Sequence, residues 1–173
     1  MPRKGRDEFA LTIFGPSGIR QSLNELSRVL YSDIPSFHNV EKAFNVVIYE
    51  LKDGEVFKNE LFELTAIGVI HGENLSNAYI YKKESVSLGY SGDSSYCDAI
   101  IKNIPNADNW IIEANKLEEA PGWHMGLDQV KQLAVQHKNQ NFYVVHRADY
   151  ETNADGLTNI FFPNDNDEIV LKN

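Results

Sequence analysis

The feature that most constrains the fold is a change, near residue 93, in how strands follow one another. The stretches 44–70 and 77–92 carry apolar strands in succession, and we predict that Asp53-Gly54 is a hairpin turn between the first of them. After Asp93, a helix around 95–104, the strand 109–114, a helix from Leu127 and the strand 142–147 alternate. This order predicts a mixed α/β protein, with a mixed sheet and flanking helices.

The N-terminal stretch begins with a strand and a helix. Residues 11–14 are apolar, Gly-Pro-Ser-Gly follows them, and Ile19, Leu23, Leu26 and Leu30 then recur at helical spacing. A phosphate-binding loop would need a lysine where Arg20 and Gln21 stand, so we interpret the glycines as a turn with a helix N-cap. A free-standing nucleotide-binding module would depend on this turn alone.

Composition limits the remaining classes. The 173 residues are 42% hydrophobic and show no repeat or linker, so we expect one domain over residues 1–173, with a last hairpin turning at 164–167. A net charge of −9 argues against an extended nucleic-acid face, although metal-held nucleotides stay possible. Cys97 is the only cysteine, and no apolar run approaches the roughly 20 residues that cross a bilayer. We therefore expect a cytoplasmic protein that does not enter membranes.

Three side chains of metal-binding type each follow an apolar strand. His71 comes after 66–70, Asp93 follows Ser91-Gly92, and His146 closes 143–145. Imidazole nitrogens and carboxylate oxygens bind zinc or manganese, and one carboxylate can bridge a metal pair. A lone histidine at a strand end is more often structural, and Asp93 is also an ordinary helix N-cap residue, but their coincidence indicates a two-metal hydrolase site.

Other candidates surround this set. His124 precedes a helix start, where it could hold a substrate phosphate or donate a proton to a leaving oxygen, or be a plain surface histidine. Glu113 ends its strand and could support the site or be structural. We assign no chemistry to His137, at a helix end, or to His38 and the apolar Cys97.

In their order along the chain, these segments resemble the C-terminal portion of metallo-β-lactamase-fold hydrolases, in the ribonuclease Z-like and phosphodiesterase-like branch. "LTIFGPSGI" is similar to that family's Leu-Thr-Ile-Tyr-Gly-Pro, and "YSGDSSYCDAI" to its Tyr-Ser-Gly-Asp-Thr, with Ser94 in place of the threonine. "AIGVIH" and "YVVHR" resemble its third and fifth motifs, and "WIIEA" with "WHMGLDQVKQLA" a stretch that ends in a histidine before a helix. The resemblance runs from about Leu11 to Leu171.

The resemblance implies roles for these residues. His71 and His146 would each hold a metal, zinc or manganese, and Asp93 would bridge the pair and take part in catalysis. His124 would act on the phosphate or on the leaving oxygen. The implied fold is half of a sandwich of two sheets with helices outside, and the implied reaction is hydrolysis of a phosphodiester or nucleotide substrate.

The sequence departs from the family in one respect. The family's principal metal motif, His-x-His-x-Asp-His, does not occur here, so the two-metal site is incomplete. We expect a truncated or split protein whose apolar sheet face is covered by an N-terminal half-domain or by self-association. The alternative is a non-catalytic interaction protein, or a degenerate remnant that keeps the sheet without the site.

Overall fold

The computed structural model describes residues 11–118, 122–150 and 152–171. The chain divides between Lys52 and Asp53 into two compact units. No helix within the described ranges is long and apolar enough to cross a membrane.

The first unit is built on the strand, turn and helix that the sequence predicts. Its two strands pair in parallel, from Leu11 opposite Val46 to Gly15 opposite Glu50. Its elements are strand β1 (Leu11–Gly15), helix α1 (Ile19–Leu30), a 3₁₀ turn (Pro35–Phe37), helix α2 (Val40–Phe44) and strand β2 (Val46–Glu50).

Glu50 caps the start of helix α1. Gly18, with a φ of 93°, takes the left-handed conformation that glycine tolerates, and it ends the turn after β1. The backbone amides of Gly18 and Arg20 donate to Glu50 Oε1, over 2.9 and 3.1 Å. The predicted turn is confirmed, and the carboxylate of the neighbouring strand satisfies helix donors that a bound phosphate would otherwise use.

The second unit is a seven-stranded mixed sheet with flanking helices, as the strand order predicts. The order is β3-β4-β5-β6-β7-β8-β9, antiparallel as far as β6 and parallel from there on. Its strands are β3 (Val56–Lys58), β4 (Glu63–His71), β5 (Asn74–Lys83), β6 (Val86–Tyr90), β7 (Asn109–Glu113), β8 (Asn141–Val145) and β9 (Ile160–Phe161). Its helices are α3 (Asp98–Asn103), a 3₁₀ turn (Ile104–Asn106) and α4 (Leu127–Gln136).

Two of the predicted turns differ from the structure. Asp53-Gly54 is not a hairpin turn, because β2 pairs with β1 and β3 with β4; instead the Asp53 carboxylate accepts the amide of Gly68 at 2.8 Å. The turn at 164–167 exists, held by the amide of Asn164 on the Asp167 carboxylate, but no second strand follows it within residues 162–171. The last strand, β9, instead adds in parallel to β8.

The predicted helix at 95–104 begins later than expected. Helix α3 starts at Asp98, since Ser94 and Ser95 are buried in the turn that follows β6. Cys97 is a buried N-cap residue, which agrees with its interpretation as a small apolar side chain.

Neighbouring rows of residues across the sheet point to opposite faces. One row runs through Ile80, Gly89, Trp110, Phe142 and Ile160, and it lies in the core, in which the predicted apolar side of α4 is also buried. Gly89 is required there, because a Cβ atom at this position would come within 2.3 Å of the fully buried Trp110 ring. The next row, on the other face, is largely aromatic and partly exposed; we call it the aromatic row, and it consists of Tyr79, Tyr90, Ile111, Tyr143 and Phe161.

Candidate metal and catalytic site

The site lies at the edge of the sheet where four strands end. Strands β4, β6, β7 and β8 run in the same direction, so their carboxyl ends meet at one edge. His71 is the last residue of β4 and Glu113 the last of β7; Asp93 follows β6, and His146 follows β8 directly. The four side chains come from segments far apart in the sequence, as is usual for sites at strand ends of α/β proteins.

Glu113 and His124 form the centre of the cluster. The Glu113 side chain is only 1% exposed, and both of its carboxylate oxygens lie 3.0 Å from His124 Nδ1. The amide of Ser94 donates to the same carboxylate at 2.5 Å. Because Nδ1 of His124 donates to the carboxylate, the ring orientation is fixed and Nε2 is the nitrogen left for a metal or a substrate.

His71 is oriented in the same way by a carbonyl. Its Nδ1 donates to the carbonyl oxygen of Trp123 at 2.8 Å, and the next amide, that of Gly72, donates to the carbonyl of Gly122 at 2.6 Å. These two bonds hold the loop before α4 against the end of β4. The His71 and His124 rings consequently lie 5.0 Å apart, centre to centre.

Asp93 and His146 complete the cluster. His146 Nδ1 lies 2.9 Å from Asp93 Oδ1, and the His146 and His124 ring centres are 5.3 Å apart. Both side chains are about half exposed. His146 has a φ of 47°, an uncommon left-handed conformation for a residue with a side chain, and such conformations concentrate at functional sites.

These side chains suit a divalent metal. Two groups of three residues bring one possible ligand atom each to within 4.8 Å of one another: His71, Asp93 and His124, and Glu113, His124 and His146. Imidazoles whose Nδ1 donates to a carboxylate or a carbonyl are the usual form of metal-ligating histidine. The donor set and the fixed tautomers of His71 and His124 therefore fit zinc or manganese.

Burial raises the pKa of Glu113 above its ordinary value. The Ser94 amide and the neighbouring His124 oppose this effect, and the charge of Asp93 adds to it. The Ser94 amide and His124 therefore offset part of the cost of burying this carboxylate.

The structure brings together all four residues singled out from the sequence, His71, Asp93, His124 and His146; their roles stay predictions. Glu113 proves more central than its sequence context suggested. The sequence carried no signal for the Trp123 carbonyl or the Ser94 amide, since backbone groups have no residue signature. His38, whose Nε2 donates to the Tyr31 carbonyl, and His137, the C-cap of α4, belong to neither group.

No protein-family model matches the chain, and neither does any curated protein sequence. Solved structures do resemble it. A diphosphatase from the PhnP family is 18% identical and aligns over 91% of this chain and 56% of its own, with a TM-score of 0.67. YhfI from Bacillus subtilis, a metallo-β-lactamase fold protein, is 17% identical and aligns over 88% of this chain and 61% of its own, with a TM-score of 0.66. The short form of human tRNase Z, ELAC1, is 16% identical and aligns over 92% of this chain and 66% of its own, with a TM-score of 0.64.

The chain spans between about half and two thirds of the length of these three proteins. The chain thus has the fold of the metallo-β-lactamase proteins, the family that its motifs resemble.

Proposed function

We propose that this chain forms one side of the active site of a metal-dependent phosphodiester hydrolase. The observation that carries the proposal is the clamp of His124 by the buried Glu113 carboxylate, at the centre of three other side chains of metal-binding type. A histidine that only needed a surface position would not require a fully buried acid as its partner.

Some residues of this chain would bind metal, and one would act on the substrate. His71, Asp93 and His146 would hold the divalent metal ions, zinc or manganese. When bound, the metal pair activates water and withdraws charge from the phosphate oxygens. Asp93 lies 2.9 Å from His146, a separation compatible with two ligands on one metal ion.

His124 acts on the substrate. Glu113 keeps Nδ1 of His124 protonated and the ring fixed, so Nε2 faces the substrate and either holds a phosphate oxygen or gives its proton to the leaving oxygen. The names of two similar structures, a diphosphatase and a tRNase, support a phosphate linkage as the bond that is hydrolysed.

The remaining metal ligands come from residues outside these 173. Catalytic zinc takes about three protein ligands, and His71, Asp93 and His146 are too few for two ions. A segment carrying His-x-His-x-Asp-His, in the same polypeptide or in a partner, completes the site and covers the aromatic row, of which Tyr90 and Phe161 are exposed.

Metal uptake tests the proposal. Calorimetric titration with zinc, and separately with manganese, should show binding that Asp93→Ala and His146→Asn each reduce at least tenfold. Asparagine is chosen because it tolerates the left-handed backbone that His146 adopts. His137→Ala is the matched control, since it removes a histidine of the same unit that lies outside the cluster.

Hydrolysis provides the second measurement. Mixed with a half-domain that carries His-x-His-x-Asp-His, the chain should hydrolyse bis(4-nitrophenyl) phosphate, and Asp93→Ala should abolish that activity. Equal metal binding by the wild type and both cluster variants would contradict the proposal and favour a non-catalytic interaction protein.

A further inference from the structure

A cavity of about 360 Å³ opens next to the histidine cluster and is separate from the proposed metal ligands except at one residue. His146 lines both the cluster and this cavity, so a substrate held at the cluster can extend into it. Pockets that take small ligands start at about 300 Å³, so this one has room for a small substituent. We call it the Arg147 pocket; it is lined by residues 145–148, Tyr150 and 163–165.

Arg147 supplies the positive charge of the pocket. It is the only arginine in residues 53–173, in a chain whose net charge is −9. Against such a background, binding of an anionic group requires a local cation. Among the described residues that line the pocket, Arg147 is the one side chain that is always positive.

The guanidinium of Arg147 is held in place by its neighbours. Nη2 donates to the carbonyl oxygen of Pro163 at 2.7 Å, and the guanidinium carbon lies 5.8 Å from the centre of the Phe162 ring. A guanidinium has five N–H donors, so this arrangement leaves donors available on a group whose orientation is already fixed. Such a fork binds the paired oxygens of a phosphate better than a point charge does.

Two other side chains of the pocket limit what it can bind, Tyr150 and Asp165. The Tyr150 hydroxyl is engaged by the Ala114 carbonyl at 2.5 Å, so it packs as a wall rather than acting as a free donor. Asp165 is exposed and lines the same cavity, where its negative charge opposes an anion. An anion in the pocket would therefore bind through the N–H donors of Arg147, and the charge of Asp165 would weaken that binding.

We propose that the Arg147 pocket binds a second phosphate of the substrate, carried on the same small molecule as the phosphodiester at the histidine cluster. This inference rests on the proposed function for the identity of the scissile group, but not for the pocket itself. It narrows the substrate to small phosphodiesters bearing a further terminal phosphate.

The first test uses the metal-free chain, so it does not depend on hydrolysis. In EDTA, thymidine 5′-monophosphate should bind and shift the Nε–H resonance of Arg147 in NMR spectra, whereas uncharged thymidine should not. Arg147→Gln should weaken this binding about tenfold or more, and Arg147→Lys should recover part of it. Binding that leaves the Arg147 resonance unmoved, or that Arg147→Gln leaves unchanged, overturns the inference.

A variant of opposite sign guards against misfolding of the arginine variants. Asp165→Asn removes the opposing charge from an exposed position and should tighten binding of thymidine 5′-monophosphate about threefold. No change, or weaker binding in a variant with the wild-type melting temperature, counts against the pocket as an anion site.

The second test compares two substrates of the completed, metal-loaded enzyme. The 4-nitrophenyl ester of thymidine 5′-phosphate carries one phosphate, and its 3′-phosphorylated counterpart carries two. Arg147→Gln should raise KM for the second substrate about tenfold, with kcat unchanged, and leave KM for the first nearly unaffected. If neither ester is hydrolysed but thymidine 5′-monophosphate binds to the metal-free chain, the proposed function is wrong and the Arg147 pocket is still an anion site. If the ester with one phosphate is hydrolysed but the pocket binds no thymidine 5′-monophosphate, the proposed function holds and the inference about the pocket is wrong.

Discussion

Glu50 and Glu113 each end a parallel strand beside a strand that leads into a helix, but their roles differ. In the first unit, β1 leads through a turn into α1, and the parallel strand β2 ends in Glu50. In the second unit, β6 leads through a turn into α3, and the parallel strand β7 ends in Glu113. Each carboxylate accepts backbone amides from the turn after the neighbouring strand.

The difference lies in what else reaches each carboxylate. Glu50 is exposed and accepts the turn amides of Gly18 and Arg20, so it caps the start of a helix. Glu113 is buried and binds His124 as well as the Ser94 amide, with His146 at 3.9 Å. A buried carboxylate that is left without a partner costs free energy, so Glu113 needs its imidazole partners, whereas the exposed Glu50 does not. This need places Glu113 in the site.

The largest expected effect is a loss of stability that differs between the two units when a glycine is replaced by alanine. Gly89→Ala would put a methyl group into the rigid, buried Trp110 ring, and we expect a loss of about 2–3 kcal/mol of stability. Gly15→Ala meets the Ile19 side chain at 2.9 Å, and because Ile19 is only partly buried and can adjust, we expect about 1 kcal/mol or less. Urea unfolding followed by amide exchange in each unit measures both values, and similar losses would show that the two pieces are packed alike.

The next effect concerns metal binding. Glu113→Gln keeps an oxygen for the Ser94 amide but removes a carboxylate charge that lies 3.9 Å from Nδ1 of His146, a proposed metal ligand, so zinc affinity should fall about 10- to 100-fold. Glu50→Gln is the matched control and should leave zinc affinity unchanged. Calorimetry on the three proteins decides between a special role for Glu113 and a general effect of lost charge.

A smaller effect should appear at the start of α1. Glu50→Ala leaves the amides of Gly18 and Arg20 without their carboxylate, and we expect a loss of about 1 kcal/mol, typical of a lost helix cap. Exchange of amides in the first turn of α1 should speed up, while exchange in α4 should not. Unchanged exchange in the first turn would mean that the two bonds add nothing.

The smallest effect tests the interpretation of the Gly-Pro-Ser-Gly turn. Inorganic phosphate should not shift the amide resonances of Gly18 and Arg20 in the wild type, because Glu50 already accepts from both. In Glu50→Ala, phosphate should shift them and restore a few tenths of a kcal/mol. A phosphate shift in the wild-type protein would revive a nucleotide-binding role for this turn.

Sequence patterns predicted the elements better than their partners. The apolar side of α4 followed from periodicity, because burial on one face dictates where apolar residues recur. The strand, turn and helix at residues 11–30 also followed from their pattern, although Leu26 and Leu30 of α1 are exposed. The prediction paired β2 with β3, whereas β2 pairs with β1. An Asp-Gly pair indicates that the chain turns, but it does not indicate which strand the next segment will pair with.

The same limit applies to the site. His71, Asp93 and His146 could be picked out because each follows an apolar strand, and strands that run in one direction gather their ends. The role of Glu113 depends on burial and on contacts with Ser94 and His124, which are 19 and 11 residues away along the chain. No local pattern encodes those contacts.

The pairing of Gly89 with Trp110 also limits how this sequence can change in length. Asp93 lies four positions after Gly89 and Glu113 three positions after Trp110, so the contact between the glycine and the tryptophan fixes where both acids emerge from the sheet. A single residue inserted or deleted in either short span would carry one acid past the edge while the other stayed in place. We therefore expect length variation in functional relatives to fall outside 89–93 and 110–113, however freely the surface loops vary.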